Sequence, residues 1–260
     1  MQEHTFQINI SAIINSQTDE WNFELMDTID HAFKGSDNHL RLLGNLLVME
    51  QYINTLRQGL AASGKTLSTG LECAYSMLWD YLNDRISPTA FEEFANDYYD
   101  CLLAYNVGTT TDAPKNFYDK YFSDADPDAY ELLAIEWSSG LLMQLVSIAG
   151  GHIDFEEFEG YEQIDFYGIS IMLSILENAC FGLLHVSHSL DMGESLTGEL
   201  LKKAMEQVHR SPLFQGIVKQ VQICLHAALN AAPDTFDALH HEHSQYTILP
   251  QEYASALLLE

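Results

Sequence analysis

Basic residues are scarce in this chain of 260 residues: eleven Lys and Arg stand against thirty-eight Asp and Glu, a formal net charge of −27. So negative a surface repels nucleic acid, anionic membranes and phosphate-rich ligands, and none of these is expected as a partner. Proline and glycine are also few, six and fifteen, so little in the chain breaks long helices. The four cysteines, Cys73, Cys101, Cys180 and Cys224, lie far apart with no CxxC or Cys/His finger spacing. That excludes a zinc ribbon or disulfide framework and predicts free thiols in a reducing compartment. No run of eighteen uninterrupted apolar residues occurs, and the N-terminus has no basic region followed by an apolar one. A cytoplasmic location is the expectation.

What the chain does hold is helical periodicity. With 47% apolar residues it is expected to fold, and its length suffices to bury a sizeable core in one all-α domain spanning 1–260. The most informative stretch is 71–107. Leu71, Ala74, Tyr75, Leu78, Trp79 and Leu82 recur at three- and four-residue spacing, followed by a polar turn at Asn83, Asp84 and Arg85. Ser87 then suits an N-cap and Pro88 the first helical position, with Phe91, Phe94, Ala95, Tyr98, Cys101, Leu102 and Tyr105 along the next helix. This helical hairpin is expected to be the centre of an irregular bundle of eight to nine helices. The others are read at 19–33, 37–62, 128–149, 164–188, 197–210 and 212–232. Residues 5–14 alternate apolar and polar and read as an extended arm or a helix lead-in, and the tail from about 233 is expected to be less regular, its ASALLLE end docking on the body.

Catalytic motifs are nearly absent. Gly59 to Thr66 matches the phosphate-cradling pattern G-x-x-x-x-G-K-[ST], but the residues before it, MEQYINTLRQ, are helical rather than a buried strand. A helix C-terminus with Gly64 near the cap explains the match better. Asp124, Asp126 and Asp128 resemble the start of a calcium loop, yet Ala129 stands where glycine is required and Ile135 where the bidentate Glu belongs. A helix start with Asp126 as N-cap and Pro127 after it accounts for them. His185 and His188 share a helix face and the tail carries His240, His241 and His243, but no Glu-x-x-His pairs accompany them. No metal, cofactor or catalytic residue is assigned.

Acid is concentrated between Asp112 and Asp165, where thirteen carboxylates meet only Lys115 and Lys120. Within it, HIDFEEFEGYEQIDF alternates carboxylates with aromatics. Asp154, Glu156, Glu157, Glu159 and Glu162 are the candidate partner-binding residues, with Phe155, Phe158 and Tyr161 as anchors; the plain alternative is a solvated loop.

The helix ending LWDYLND at 78–84 and the DFYGISIMLSILENACFGLLHV helix from 165 resemble the YjaG-like bacterial all-α proteins of unknown function and, more loosely, the helical immunity proteins of polymorphic toxin systems. The resemblance spans 38–190 and implies the fold and a protein-binding role, with no catalytic residues to carry over. The functional expectation is an intracellular acidic protein that binds a basic partner, most concretely an immunity-type inhibitor of a toxin. The competing class is a small-molecule or metal-dependent enzyme.

Overall fold

The computed structural model describes residues 21–107, 114–122, 127–153, 155–189 and 199–257. The arm at 5–14, Asp124 and Asp126, Asp154, the first two residues of the helix read at 197–210, and the last three residues lie outside them, as do the side chains of His185 and His188. The fold is all-helical, with eleven α-helices among the described residues: α1 (Trp21–Ala32), α2 (Asn38–Ala62), α3 (Thr69–Leu82), α4 (Pro88–Val107), α5 (Lys115–Tyr121), α6 (Ala129–Ile148), α7 (Tyr167–Ser189), α8 (Glu199–Arg210), α9 (Pro212–Leu229), α10 (Phe236–His243) and α11 (Gln251–Leu257). The count exceeds eight to nine because α5, α10 and α11 span only two turns each, too short to show a periodic stripe. The tail from 233 is accordingly helical, and both its helices lie against α2.

The helices begin and end for local reasons. Ser87 Oγ accepts from Ala90 N at 3.3 Å and Ser211 Oγ from Phe214 N at 3.1 Å, each followed by a proline that needs no partner for its missing N–H. Asp37 caps α2, accepting from Leu40 N at 2.9 Å. For α6 the cap is Asp128, not Asp126: its Oδ1 accepts from Tyr130 N and Glu131 N, and the helix starts at Ala129, two residues after Pro127. The phosphate-loop lookalike closes α2, with Gly64 at φ +75° and Lys65 N donating back to Leu60 O at 2.9 Å. Its amides are turned to the helix rather than outward.

The hairpin of α3 and α4 forms, with Asp84 in the left-handed region of the turn, but it is not the centre. Its two arms touch each other little, and α6 packs across both. The central element is α2, which meets α3, α6, α7, α9, α10 and α11. Every residue from Arg41 to Ile53 is buried. A helix so enclosed must satisfy its polar side chains inside the protein. Most of these polar side chains are engaged in two groups: Asn38, Arg41 and Asn45 hold the segment before α7, while Glu50, Gln51, Asn54 and Thr55 hold the C-terminal helices.

One apolar core runs from Trp21 to Leu249 and includes Trp79 and Trp137, 3% and 5% exposed. By length and composition α6 and the Tyr167–Leu184 part of α7 could cross a membrane, but the first is mostly and the second half buried in the bundle, as core helices are.

Candidate docking surface

The chain leaves α6 through Gly150, at φ +72°, and turns along α4. There Glu92, Asn96 and Tyr99, spaced four and three apart, form a single face. Glu92 Oε1 accepts from His152 N at 2.9 Å, and Asn96 Nδ2 donates to His152 O at 3.2 Å. The Tyr99 ring lies 4.3 Å from that of Phe155 and 5.3 Å from that of Phe158, both edge-on. Phe155 precedes and Phe158 ends a single 3-10 turn, Glu156–Phe158. The aromatic anchors therefore face inward as the alternation demands, half-buried, while the acids between them face out.

Further along, the backbone is held at nearly every other residue. Ser147 Oγ accepts from Tyr161 N at 3.2 Å, Asn38 Nδ2 donates to Glu162 O, and Asn38 Oδ1 accepts from Ile164 N at 2.9 Å. Arg41 Nη1 donates to Ile164 O at 2.8 Å and meets Asp30 at 3.1 Å, so its buried guanidinium is paired as burial requires. Asn45 Nδ2 donates to Asp165 O at 2.9 Å, and Gln144 Oε1 accepts from Asp165 N at 3.1 Å. Trp137 Nε1 donates in turn to Asn45 Oδ1 at 3.1 Å, tying the clamp to α6.

The five candidate residues do not share one fate. Glu156, Glu159 and Glu162 are exposed on this clamped backbone. Glu157 is exposed too, but it accepts a short hydrogen bond from the Tyr99 hydroxyl, so it helps hold the turn. Burial pushes the Tyr99 phenol well above its ordinary range, and the bond to Glu157 and its charge add to this, so Tyr99 stays a donor. Asp154 lies outside the described residues. No Lys or Arg occurs between Lys120 and Lys202, so α6, the segment and α7 bring neither to this surface.

Beside the segment, between α6 and the start of α7, opens a groove of about 370 Å³. Glu157, Phe158 and Tyr161 form part of its wall, so groove and acidic segment are continuous.

The clamp residues were not visible as functional in the sequence, nor was a second polar cluster beneath the tail. There Arg57 grips Glu72 through two nitrogens, at 2.7 and 3.0 Å, and lies 3.6 Å from the buried Glu50. His240 Nε2 stands 3.1 Å from the other Glu50 oxygen, its ring stacked on Trp79 with centroids 4.0 Å apart. Next to it, Gln51 Nε2 donates to His243 Nδ1 at 3.2 Å, and the Cys224 thiol lies 3.4 Å from the same nitrogen. The Cys–His pair has the outline of a nucleophile and base, but Cys224 is 1% and His243 4% exposed, and burial pushes the thiol strongly up. It is a packing contact that keys the tail to the core. Burial likewise pushes the Cys101 and Cys180 thiols up to about 12. Among the described residues no three His, Cys, Asp or Glu side chains are grouped to hold a metal.

His243 gives the fold a pH dependence of definite sign. Burial lowers its pKa from 6.5, against the opposing fields of Glu242 and Glu50. The unfolded chain therefore takes up this proton at a higher pH than the folded one. The stability conferred by the neutral ring is complete above 6.5 and is lost as pH falls through the lowered folded value. Urea midpoints measured from about pH 7.5 down to about 5.5 should fall, and His243→Gln should flatten that slope. A variant with the parent's slope would remove His243 from the linkage.

Comparison with protein-family models, curated proteins and solved structures finds no match for this chain.

Proposed function

We propose that this is an intracellular acidic protein that binds a basic protein partner, in its most concrete form an immunity-type inhibitor that covers the basic face of a toxin. The observation that carries the reading is the presentation of Glu156, Glu159 and Glu162, solvent-facing on a backbone clamped from α2, α4 and α6. A loop that only solubilises the protein needs no such clamping. A surface that meets a partner benefits, because side chains already held in place lose less freedom on binding. The net charge of −27 supplies the long-range attraction toward a basic protein. The resemblance to helical immunity proteins points the same way. A reducing intracellular setting agrees with four unpaired cysteines.

Charge of this kind acts on encounter, whereas packed contacts set how long a complex lasts. Changing Glu156, Glu159 and Glu162 together to Lys should slow association with the isolated partner by ~10-fold at low salt and flatten its salt dependence. Glu157 is left in place because its loss would free the turn from Tyr99. Stopped-flow kinetics, with circular dichroism to show the variant folded, make the measurement. An unchanged association rate and salt slope would return the segment to a solvated loop.

A further inference from the structure

We infer that the groove between α6 and α7 is the seat of an arginine side chain projecting from the partner, an assignment that rests on the docking reading above and gives it a specific contact. Three observations converge on a guanidinium carried on an apolar stem.

The first is charge. Glu136, Glu157 and Asp165 line the groove, and none of its thirteen lining residues is Lys, Arg or His. Two of these carboxylates are already oriented by the protein: Tyr99 holds one oxygen of Glu157, and Tyr167 N donates to Asp165 Oδ1 at 3.1 Å. Glu136 is exposed on α6. Three carboxylates around one opening, without a cation of their own, favour a cationic occupant, and a rigid planar fork uses several oriented carboxylate oxygens better than a point charge does.

The second is the wall. Trp137, Phe158 and Tyr161 supply aromatic surface, and Leu133, Leu141 and Ile171 supply aliphatic surface. Aromatic rings attract cations and stack on guanidinium planes, while the aliphatic part accepts the methylenes of a stem. A metal ion would find no group of three ligating side chains among the described residues.

The third is space. The volume of about 370 Å³ lies in the range of side-chain and small-ligand pockets. Gly140, midway along α6, opens onto it: a Cβ added there meets nothing within 4 Å. Glycine inside a helix is unfavourable, so the missing side chain matters to what the groove can admit. The groove shares Glu157, Phe158 and Tyr161 with the docking segment, which places the occupant on the same partner that the exposed acids meet.

The test uses the full chain and two peptides, acetyl-Gly-Arg-Gly-amide and the same peptide with citrulline, the neutral isostere, in place of arginine. Titration calorimetry and chemical-shift mapping should show saturable binding of the arginine peptide, with shifts centred on Trp137 and Tyr161, and the citrulline peptide weaker by ~10-fold or more. Glu136→Gln should weaken the arginine peptide by about five-fold. Gly140→Leu fills the groove from a position with room for it and improves helix propensity, so it should abolish peptide binding in a folded protein. Equal binding of the two peptides, or unchanged binding in Gly140→Leu, would overturn the assignment. Glu156, Glu159 and Glu162 are not part of the groove lining, so their reversal separates the two proposals. Peptide binding that survives while partner association is unaffected by the reversal keeps the groove and removes the docking segment. Lost steering in the reversal without any peptide binding does the opposite.

Discussion

Trp79→Ala should lower the unfolding free energy by about 3–5 kcal/mol, as other large-to-small core substitutions do. Trp79 is 3% exposed on α3, edge-on to Tyr75 and stacked on His240. Its loss does more than open a cavity. The stacked ring is one of the contacts by which α10 is keyed to α3, with the edge of Tyr75 and beside the Glu50 and His240 pair. The variant should therefore show faster amide exchange over Phe236–His243 and Gln251–Leu257 than over α6, in addition to a lower urea midpoint read by circular dichroism. His240→Ala, which keeps Trp79 in place, should lose only the stacking and the contact with Glu50, on the order of 1–2 kcal/mol. A Trp79→Ala protein within about 1 kcal/mol of the parent would mean that this site is not part of the core.

Two glycines that line the groove should respond with opposite signs. In an ordinary helix, Gly→Ala is stabilising by about 0.5–1 kcal/mol. That is the expectation for Gly140→Ala, whose new Cβ meets open space. Gly168, in the first turn of α7, lies against Trp137: an added Cβ would stand 2.0 Å from Cδ1 and 2.1 Å from Nε1 of the indole. The ring cannot yield cheaply, because it is buried and its Nε1 donates to Asn45 Oδ1. Overpacking by about 1–3 kcal/mol and a lost hydrogen bond of about 1 kcal/mol outweigh the helix-propensity gain, so Gly168→Ala should destabilise by roughly 2–3 kcal/mol. Because Asn45 also holds Asp165 O, the damage should reach the clamped segment. Paired urea titrations of the two variants decide the matter. A Gly168→Ala protein as stable as Gly140→Ala would show that Trp137 is free to move.

Much of the helical scaffold was legible because its signals are local. Ser87 with Pro88, Ser211 with Pro212, and Gly64 after the last turn of α2 each act within four residues of where they stand. Burial of Trp79 followed from an apolar stripe recurring at helical spacing. The limits were also local in origin. Asp126 and Asp128 are equivalent candidates on either side of Pro127, and only the hydrogen bonds to Tyr130 N and Glu131 N choose Asp128. Lys115–Tyr121 and the two tail helices hold too few turns for a period to emerge.

What the amino-acid sequence determined by itself is thus the all-helical class, the ends of most long helices, the apolar faces, and an acidic, aromatic-studded segment that has no basic residues around it. Tertiary structure alone decided which helix is central, and it chose one whose polar residues look like surface residues in a linear reading. Asn38, Arg41 and Asn45 find their partners at Glu162, Ile164 and Asp165, more than a hundred residues away, while Asn54 and Thr55 find theirs at Ser244, Tyr246 and Ile248, farther still. The same holds for the site: four glutamates of one stretch are alike in sequence, and Tyr99, arriving from α4, makes Glu157 a fastening and leaves the other three facing solvent. Helical periodicity reports only which side of a segment is apolar. A buried hydrogen bond between distant segments depends on how every intervening helix packs, and no pattern along the chain encodes that sum.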